Sequence, residues 1–558
     1  MLDVTARSMR GRACVYTRND IAVQTPLVIQ TCRDAAGDMH IRVDDSGRTF
    51  FAMGDEAPLD PKLRYPVSRG KGEVTAYGSI AVVRLPFEEG CAIPEGTEIV
   101  VIANAYELRG DFRRAISQIS AVRKSAGHGI LLVAPGLAEP STIAMYAYMG
   151  IDVFDDSLSR VLGAEGIEAF SEGNADRGKD SVSENISEMN RECSKVRTFT
   201  VSGRLRELVD QRAPSSPSSV AMLRIFDDIC YAYQEEATPV VGTRFSCNTT
   251  QSLMRPDVLR YRKAIMEMYE RPSHKRILLL LPCSARKPYH KSKTHKMFSS
   301  AIHTAGHDTA VHEVILTSPL GMVPRELDIF YPANSYDIPV TGQWKCQERD
   351  FIRELFSRFL SFGYEKVVSH LGSSTDLIRD MADIIETVVD DDPVSQASLD
   401  RLDRTLRDLS KGMPSGEYMA DRKETVRSVL TFQFGKDVAD RMMDAETFAV
   451  GKYPYWKIMR GKTQLGMMSE ERGMVSLTID GAEIFASMGV NLVEVQGFEL
   501  KGSLFAVGVK AADHRIRIGD EAVIVADGEV IAVGVAQMSG REMEDMNRGI
   551  AVKIRHRK

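Results

Sequence analysis

The chain has 558 residues, 43% of them apolar and 27% charged, with a formal net charge of −6. That length is too great for one core and implies several domains, while the composition excludes a fibrous, globally disordered or uniformly basic protein. No apolar run reaches the ~18 residues that span a bilayer, and the opening MLDVTARSMRGRACVYTRND lacks a signal-peptide core, so a cytoplasmic protein without a membrane partner is expected.

Residues 1–175 alternate strand and helix signals. Ile99–Ala103 reads as a buried strand, Arg113–Lys124 as an amphipathic helix, Ile130–Ala134 as a strand ended by Pro135 and Gly136, Ile143–Met149 as a helix, and Asp152–Asp155 as the next strand end. This rhythm predicts a parallel sheet, open or barrel-like. Val23–Phe87 is more β-like. Residues 171–190 are polar and read as a linker or mobile loop, opening a linker and helical segment over 176–270. Breaks are expected at Pro214–Ser219 and Thr238–Asn248, and a helix start at Pro256.

A new α/β unit is predicted over 271–393. Arg276–Leu281 (RILLLL) is apolar on both faces, as a central parallel strand must be. Glu313–Leu316 and Lys366–His370 are further strands, and Gln347–Phe362 a helix. The Pro/Gly-rich stretch Ser318–Trp344 has the length of a functional loop. Residues 394–470 read as helical within a small α+β domain (394–474), and short strands spaced by Gly turns from Val475 onward predict a β-barrel over 475–558.

Eight cysteines stand at 14, 32, 91, 193, 230, 247, 283 and 346. None pairs as C-x-x-C, which argues against a zinc knuckle or a disulfide framework. Chemistry concentrates instead in Pro282–His295, directly after RILLLL, where ligands of open α/β sheets bind. Cys283 there is a candidate nucleophile; the alternative is a small buried apolar group. His295 can move a proton near neutral pH. Lys287, Tyr289, Ser284 and Ser292 can donate hydrogen bonds, and Arg286 or Arg325 can grip a carboxylate. Ser292 and Thr294 could equally shape the loop. His370 reads as a satisfied structural histidine, and Tyr336 and Trp344 stack on a base or pack. The basic end, with Lys553, Arg555 and Arg557, suits phosphates despite the acidic whole.

Three resemblances follow from these residues. Asp513–Val525, Ala532–Met543 and Gly549–His556 closely resemble the PUA domain that ends archaeal tRNA-guanine transglycosylases, which implies RNA binding. Leu132–Gly136, Tyr148–Ser157 and Gly163–Gly166 are similar to a transglycosylase barrel, where Asp155 takes the nucleophile's place. The family's Pro-Thr-Arg turn is Leu158-Ser-Arg here, and only Cys193 stands where its zinc cluster belongs, so a partial or degenerate TIM-like domain is expected, with Asp155 kept for binding and no metal.

The stretch Pro282-Cys-Ser-Ala-Arg-Lys-Pro-Tyr-His-Lys-Ser-Lys-Thr-His295 closely resembles the P-C-S-x-x-K-P-Y-x-x-S-x-S-H signature of archaeosine synthases, with Thr294 for the second serine. Thr317–Leu327 and Tyr336–Trp344 match that family too. The resemblance implies a tRNA-modifying enzyme without a cofactor. Its substrate would be tRNA carrying 7-cyano-7-deazaguanine in the D-loop, and the side-chain amine of free L-lysine would add to the nitrile, giving an amidine. Glutamine or ammonia are the other donors considered. It further implies a radical-SAM partner enzyme, and the transglycosylase likeness is compatible with a homodimer. A base-exchanging transglycosylase and a non-catalytic tRNA-binding subunit are the competing readings.

Overall fold

The computed structural model describes residues 1–18, 21–29, 36–43, 49–54, 72–88, 91–306, 308–340, 343–411, 413, 417–496 and 502–558. The β-like run Val23–Phe87 is covered only in part, and Thr341 and Gly342 of the Tyr336–Trp344 motif lie outside the described residues. The chain sorts into two units. The first takes 1–239, 503–518 and 537–552; the second takes 240–502, 519–536 and 553–558.

In the first unit a six-stranded sheet is built from β1 (Leu27–Ile29), β2 (Val74–Tyr77), β3 (Ile80–Val83), β4 (Ile99–Ile102), β5 (Leu131–Val133) and β6 (Val153–Asp155), in the order β1-β6-β5-β4-β3-β2. Its pairings are parallel except for the β2–β3 hairpin. Parallel strands are buried on both faces. Val100, Leu132 and Phe154 accordingly join one core with Ile116 and Ile119 of α1 (Phe112–Ala126), while Ile99, Leu131 and Val153 join another. α1 starts where Asp111 accepts the Arg114 amide, and α2 (Ile143–Met149) stops at Gly150, whose φ of 107° suits a residue without Cβ.

The polar stretch 171–190 is not a loop throughout. Ile167–Phe170 and Gly173–Asp176 form a hairpin, and α3 (Val182–Val201) follows. Its apolar stripe is narrow, with Met189, Cys193 and Val196 buried at spacings of four and three, so the polar majority conceals it. α4 (Pro217–Ile229) begins inside the expected break, with Ser216 capping the Ser219 amide and Pro217 in the first turn.

The second unit holds a five-stranded sheet of β7 (Ile277–Pro282), β8 (Val311–Thr317), β9 (Gly321–Pro324), β10 (Lys366–Ser369) and β11 (Ile384–Glu386), in the order β9-β8-β7-β10-β11. β7 is central and parallel to both neighbours, and Ile277–Leu281 are fully buried. Leu278 and Leu280 face a core shared with α5 (Pro256–Glu267) and α7 (Cys346–Leu360). Ile277, Leu279 and Leu281 face α6 (Lys293–Ala305) and α8 (Gln396–Ser410). The long stretch after β8 folds back as antiparallel β9.

The expectation of helix over 394–470 holds only to Met442. Four antiparallel strands follow, Thr447–Lys452, Tyr455–Arg460, Thr463–Ser469 and Met474–Leu477. Trp456 and Ile458 are buried between exposed Tyr455 and Lys457, a period of two too short to stand out against the helices before it. The C-terminal strands Glu529–Ala536 and Ile550–Arg557 fall within the stretch from Val475 onward where short strands are expected. Among the described residues no helix is long and apolar enough to cross a membrane.

Gly163 gives a test of this packing. A Cβ there would sit 2.5 Å from the Val182 amide nitrogen and 2.6 Å from its Cα, both backbone atoms. Gly163→Ala should therefore destabilise by about 1–3 kcal/mol. Thermal unfolding is expected to show a midpoint lower by a few degrees; an unchanged midpoint would contradict the packing of α3.

Candidate functional site

Cys283 follows β7 directly and is half-buried, with a free thiol. It stands at the carboxyl end of the central parallel strand, where the strand's own hydrogen bonding has stopped and side chains can meet a ligand. Lys287 is half-buried in the loop beyond it. Its Nζ lies 3.9 Å from the Tyr336 ring centroid and 5.7 Å from that of Tyr289, over both aromatic faces. Burial lowers its pKa, reinforced by Arg244 and opposed by Cys283 and Asp337. The loop thus holds an amine that gives up its proton more easily than a surface lysine does.

Beneath it, three buried hydroxyls meet. Tyr289 Oη donates to Thr317 Oγ1 at 3.2 Å and also bonds Tyr336 Oη, which in turn bonds Thr317 Oγ1. Burial pushes both tyrosine pKa values far up, so the phenols stay protonated as donors. Thr317 ends β8, the strand beside β7. It received no role from the sequence, although the strand-end rule that singles out Cys283 applies equally to it. Tyr336 reaches the site because Tyr336–Asp337 bridges in parallel with Phe245–Ser246. Asp337 also pairs with Arg244, at 2.6 Å.

His295 borders this cluster, its ring centroid 5.2 Å from that of Tyr289. It is fully buried on α6, and its Nδ1 accepts from an Arg325 nitrogen at 2.8 Å, so the neutral ring carries its proton on Nε2. Among the described residues Nε2 has no well-formed partner. Burial, then Arg325, lowers the pKa to about 3, and Asp328 and the Pro282 carbonyl oppose this only in part. Arg325 spends its guanidinium on Glu313, at 2.7 and 3.0 Å, and on Asp328, at 3.4 Å. Asp328 is buried, which opposes its charge, yet His290, Arg325 and Tyr453 hold its pKa down. Of the two arginines expected to grip a carboxylate, Arg286 is the exposed one.

The remaining candidates are plain in position. Ser284 donates to the Arg286 carbonyl at 3.0 Å, closing a turn. Ser292 caps α6 by accepting the His295 amide at 3.1 Å. His370 is satisfied on both sides, by Thr387 at 2.7 Å and the Pro393 carbonyl at 2.7 Å. At the C-terminal end Lys553 and Arg557 are exposed, but Arg555 is drawn inward to the buried carboxylate of Glu521. Asp155, at the end of β6 in the first unit, accepts the Gly136 amide at 2.7 Å, and burial raises its pKa to about 6. Cys193 is a buried thiol on α3 with its pKa pushed up to about 12 by desolvation. Among the described residues no cluster of His, Cys, Asp or Glu could hold a metal ion.

Comparison with known proteins adds to this geometry. Residues 258–406 match a family described as a domain of unknown function (DUF5591), and residues 497–558 match the PUA domain. The chain is 30% identical to the archaeosine synthase of Haloferax volcanii, over 83% of this chain and 82% of that protein. It is 31% identical to the archaeosine synthase subunit alpha of Thermoplasma acidophilum, over 83% and 89%. A more distant relative, the tRNA-guanine(15) transglycosylase of Methanobrevibacter smithii, is 25% identical over 64% of this chain and 52% of its own.

The depressed pKa of His295 fixes a pH dependence. The unfolded chain takes up a proton near the ordinary 6.5, and the folded protein refuses it until about 3. Stability therefore falls with pH between those values, by about 2 kcal/mol from pH 6.5 to 4.5. Urea unfolding at the two pH values should show that loss in the wild type and a smaller loss in His295→Gln; equal losses would contradict a buried neutral ring.

Proposed function

Because the chain belongs to the archaeosine synthase family, and is thereby an enzyme of archaeosine tRNA modification with an RNA-binding PUA domain, we propose that its second unit adds an amine to the nitrile of 7-cyano-7-deazaguanine carried by tRNA. The observation that carries this reading is the placement of Cys283 after the central strand, beside a desolvated Lys287 and above three linked hydroxyls.

The chemistry must overcome two obstacles. A nitrile carbon is a weak electrophile, and an alkyl amine with a pKa of about 10.4 is protonated at neutral pH. In the proposed route Lys287 takes the Cys283 proton, and the thiolate adds to the nitrile carbon. Negative charge gathers on the nitrile nitrogen, which takes that proton back from Lys287 to give a thioimidate and a neutral Lys287. Lys287 then deprotonates the donor amine, which attacks the same carbon; the C–S bond breaks, the leaving thiolate recovers the proton from Lys287, and the product is an amidine with the thiol regenerated. Tyr289, Tyr336 and Thr317 are the hydroxyls nearest to hand for the nitrile nitrogen; one of them would turn its proton from a neighbouring oxygen to that nitrogen as charge develops. Free L-lysine is the donor that best suits a site with exposed Arg286, whose guanidinium would hold its carboxylate. Glutamine and ammonia are the alternatives. His295 and Arg325 act through position: they hold the loop that presents Lys287. A radical-SAM partner enzyme would convert the adduct onward, and a homodimer remains part of this proposal. A base-exchanging transglycosylase is disfavoured by the Cys193 environment.

Two outcomes follow. Cys283→Ala and Cys283→Ser should each lose amidine formation by at least about 100-fold, assayed by mass spectrometry of tRNA nucleosides, with tRNA affinity unchanged. Near wild-type turnover by Cys283→Ala would refute the covalent route, whereas loss only in Lys287→Ala would favour direct addition. Lys553→Ala should weaken tRNA binding at every sequence tested and reduce the slope of log affinity against log salt by about 1. An unchanged slope would remove Lys553 from the phosphate contacts.

A further inference from the structure

The first unit holds a cleft of about 480 Å³ that the chemistry at Cys283 does not use. It opens over the carboxyl ends of three neighbouring parallel strands. Arg109 follows β4, Glu139 follows β5 and Leu158 follows β6, and the first turn of α4 closes the far side. Convergence of loops from adjacent strand ends is where α/β sheets take ligands.

Four features define what such a ligand must be. Tyr146 on α2 is 3% exposed and lines the cleft, yet among the described residues its hydroxyl has no hydrogen-bond partner. The hydroxyl is thus free to bond a group held in the cleft. Burial pushes its pKa up, so it is a donor. Arg109, exposed at the rim, forms no ion pair among the described residues, and the Ser218 amide belongs to the first turn of α4, where N–H groups lack helical acceptors. Together these make a pole for an anion. Glu139 makes the opposite pole: its carboxylate already accepts Ser141 at 3.1 Å and Asn174 at 2.9 Å, and its remaining lone pairs can accept only from donors. Between the poles Leu137, Leu158 and Met222 supply apolar walls. The volume lies within the ~300–1,000 Å³ of small-molecule sites, more than a phosphate ion or an amino acid would fill.

We propose that this cleft binds a single nucleotide, with its phosphate at Arg109 and the start of α4, its base between the apolar walls, and an amino-bearing base edge toward Glu139. The source is either a free nucleoside monophosphate or one nucleotide splayed from an RNA strand. The assignment does not rest on the reaction at Cys283.

Calorimetry on the full-length protein with AMP, GMP, CMP and UMP, with the matching nucleosides and with inorganic phosphate tests it. Mononucleotides should bind about tenfold more tightly than nucleosides, and UMP, which has no exocyclic amine, most weakly of the four. Arg109→Ala and Tyr146→Phe should each weaken binding about 3–10-fold without shifting the thermal midpoint, Glu139→Gln should erase the penalty on UMP, and Cys283→Ala should change nothing. Displacement of a fluorescent mononucleotide by tRNA in the wild type assigns the site to RNA; persistence of the bound nucleotide assigns it to a free one. No binding, phosphate binding as tightly as the nucleotides, or nucleotide binding indifferent to Arg109→Ala and Tyr146→Phe would each overturn the proposal.

Discussion

The guanidinium of Arg325 ties the second unit's functional loop to its sheet. It reaches Glu313 on β8, Asp328 in the turn after β9, and His295 on α6. Asp328 extends the tie, accepting the backbone and side chain of His290 as well as the hydroxyl of Tyr453 from the antiparallel sheet. Every one of these groups is buried or nearly so, and a charge in such surroundings survives only while its partners stay in place. Removing one partner from a buried set of this kind costs about 3–5 kcal/mol, because the others are left uncompensated. The loop from Cys283 to Ser292 is therefore anchored at its far end, and its near end is anchored by β7. Lys287 hangs between two fixed points, over the rings of Tyr289 and Tyr336.

Desolvation also shapes the first unit, with a different result at each group. Asp155 is buried but satisfied by Gly136 and Ser157, so its carboxyl is shifted only to about 6 and stays close to ionisation at neutral pH. Cys193 is buried among apolar neighbours and is held as an inert thiol. A metal needs a thiolate, and Arg197 offsets the cost of burial at Cys193 only in part. The helix α3 uses that sulfur as a core atom at the same spacing as Met189 and Val196, which is a packing role.

The sequence is most readable where one physical demand dominates. RILLLL permits nothing but a strand buried on both faces, and the edge rule then places Cys283. Ile143–Met149 was equally plain, because every residue in it is apolar or aromatic and Gly150 ends it. Legibility failed where two demands compete. α3 was hidden by its broad polar face, and the strands at Thr447–Ser469 by the helices before them and by runs too short to show a period. The tie through Arg325 could not be read at all, since Glu313, Arg325, Asp328 and Tyr453 share no spacing; only folding brings them together. Arg325 has the chemistry of a ligand grip, but in the fold its guanidinium is already engaged by Glu313, Asp328 and His295. Arg555 is a parallel case, a basic-tail residue claimed by the buried Glu521.

The division of the C-terminal segment has a consequence for how the protein is made. Residues 503–518 and 537–552 belong with the first unit, and 519–536 and 553–558 with the second. Domains usually complete their folding in the order in which the ribosome releases them. Here neither unit possesses all of its residues until 503–558 has been synthesised. The apolar cores of the first unit draw only on residues between Leu2 and Tyr233 and can close early, whereas that of the second also takes in Val523, Val525, Val530 and Val533 and is complete only when the last segment has been released. Translation speed over that segment would then bear on the yield of the second unit above all.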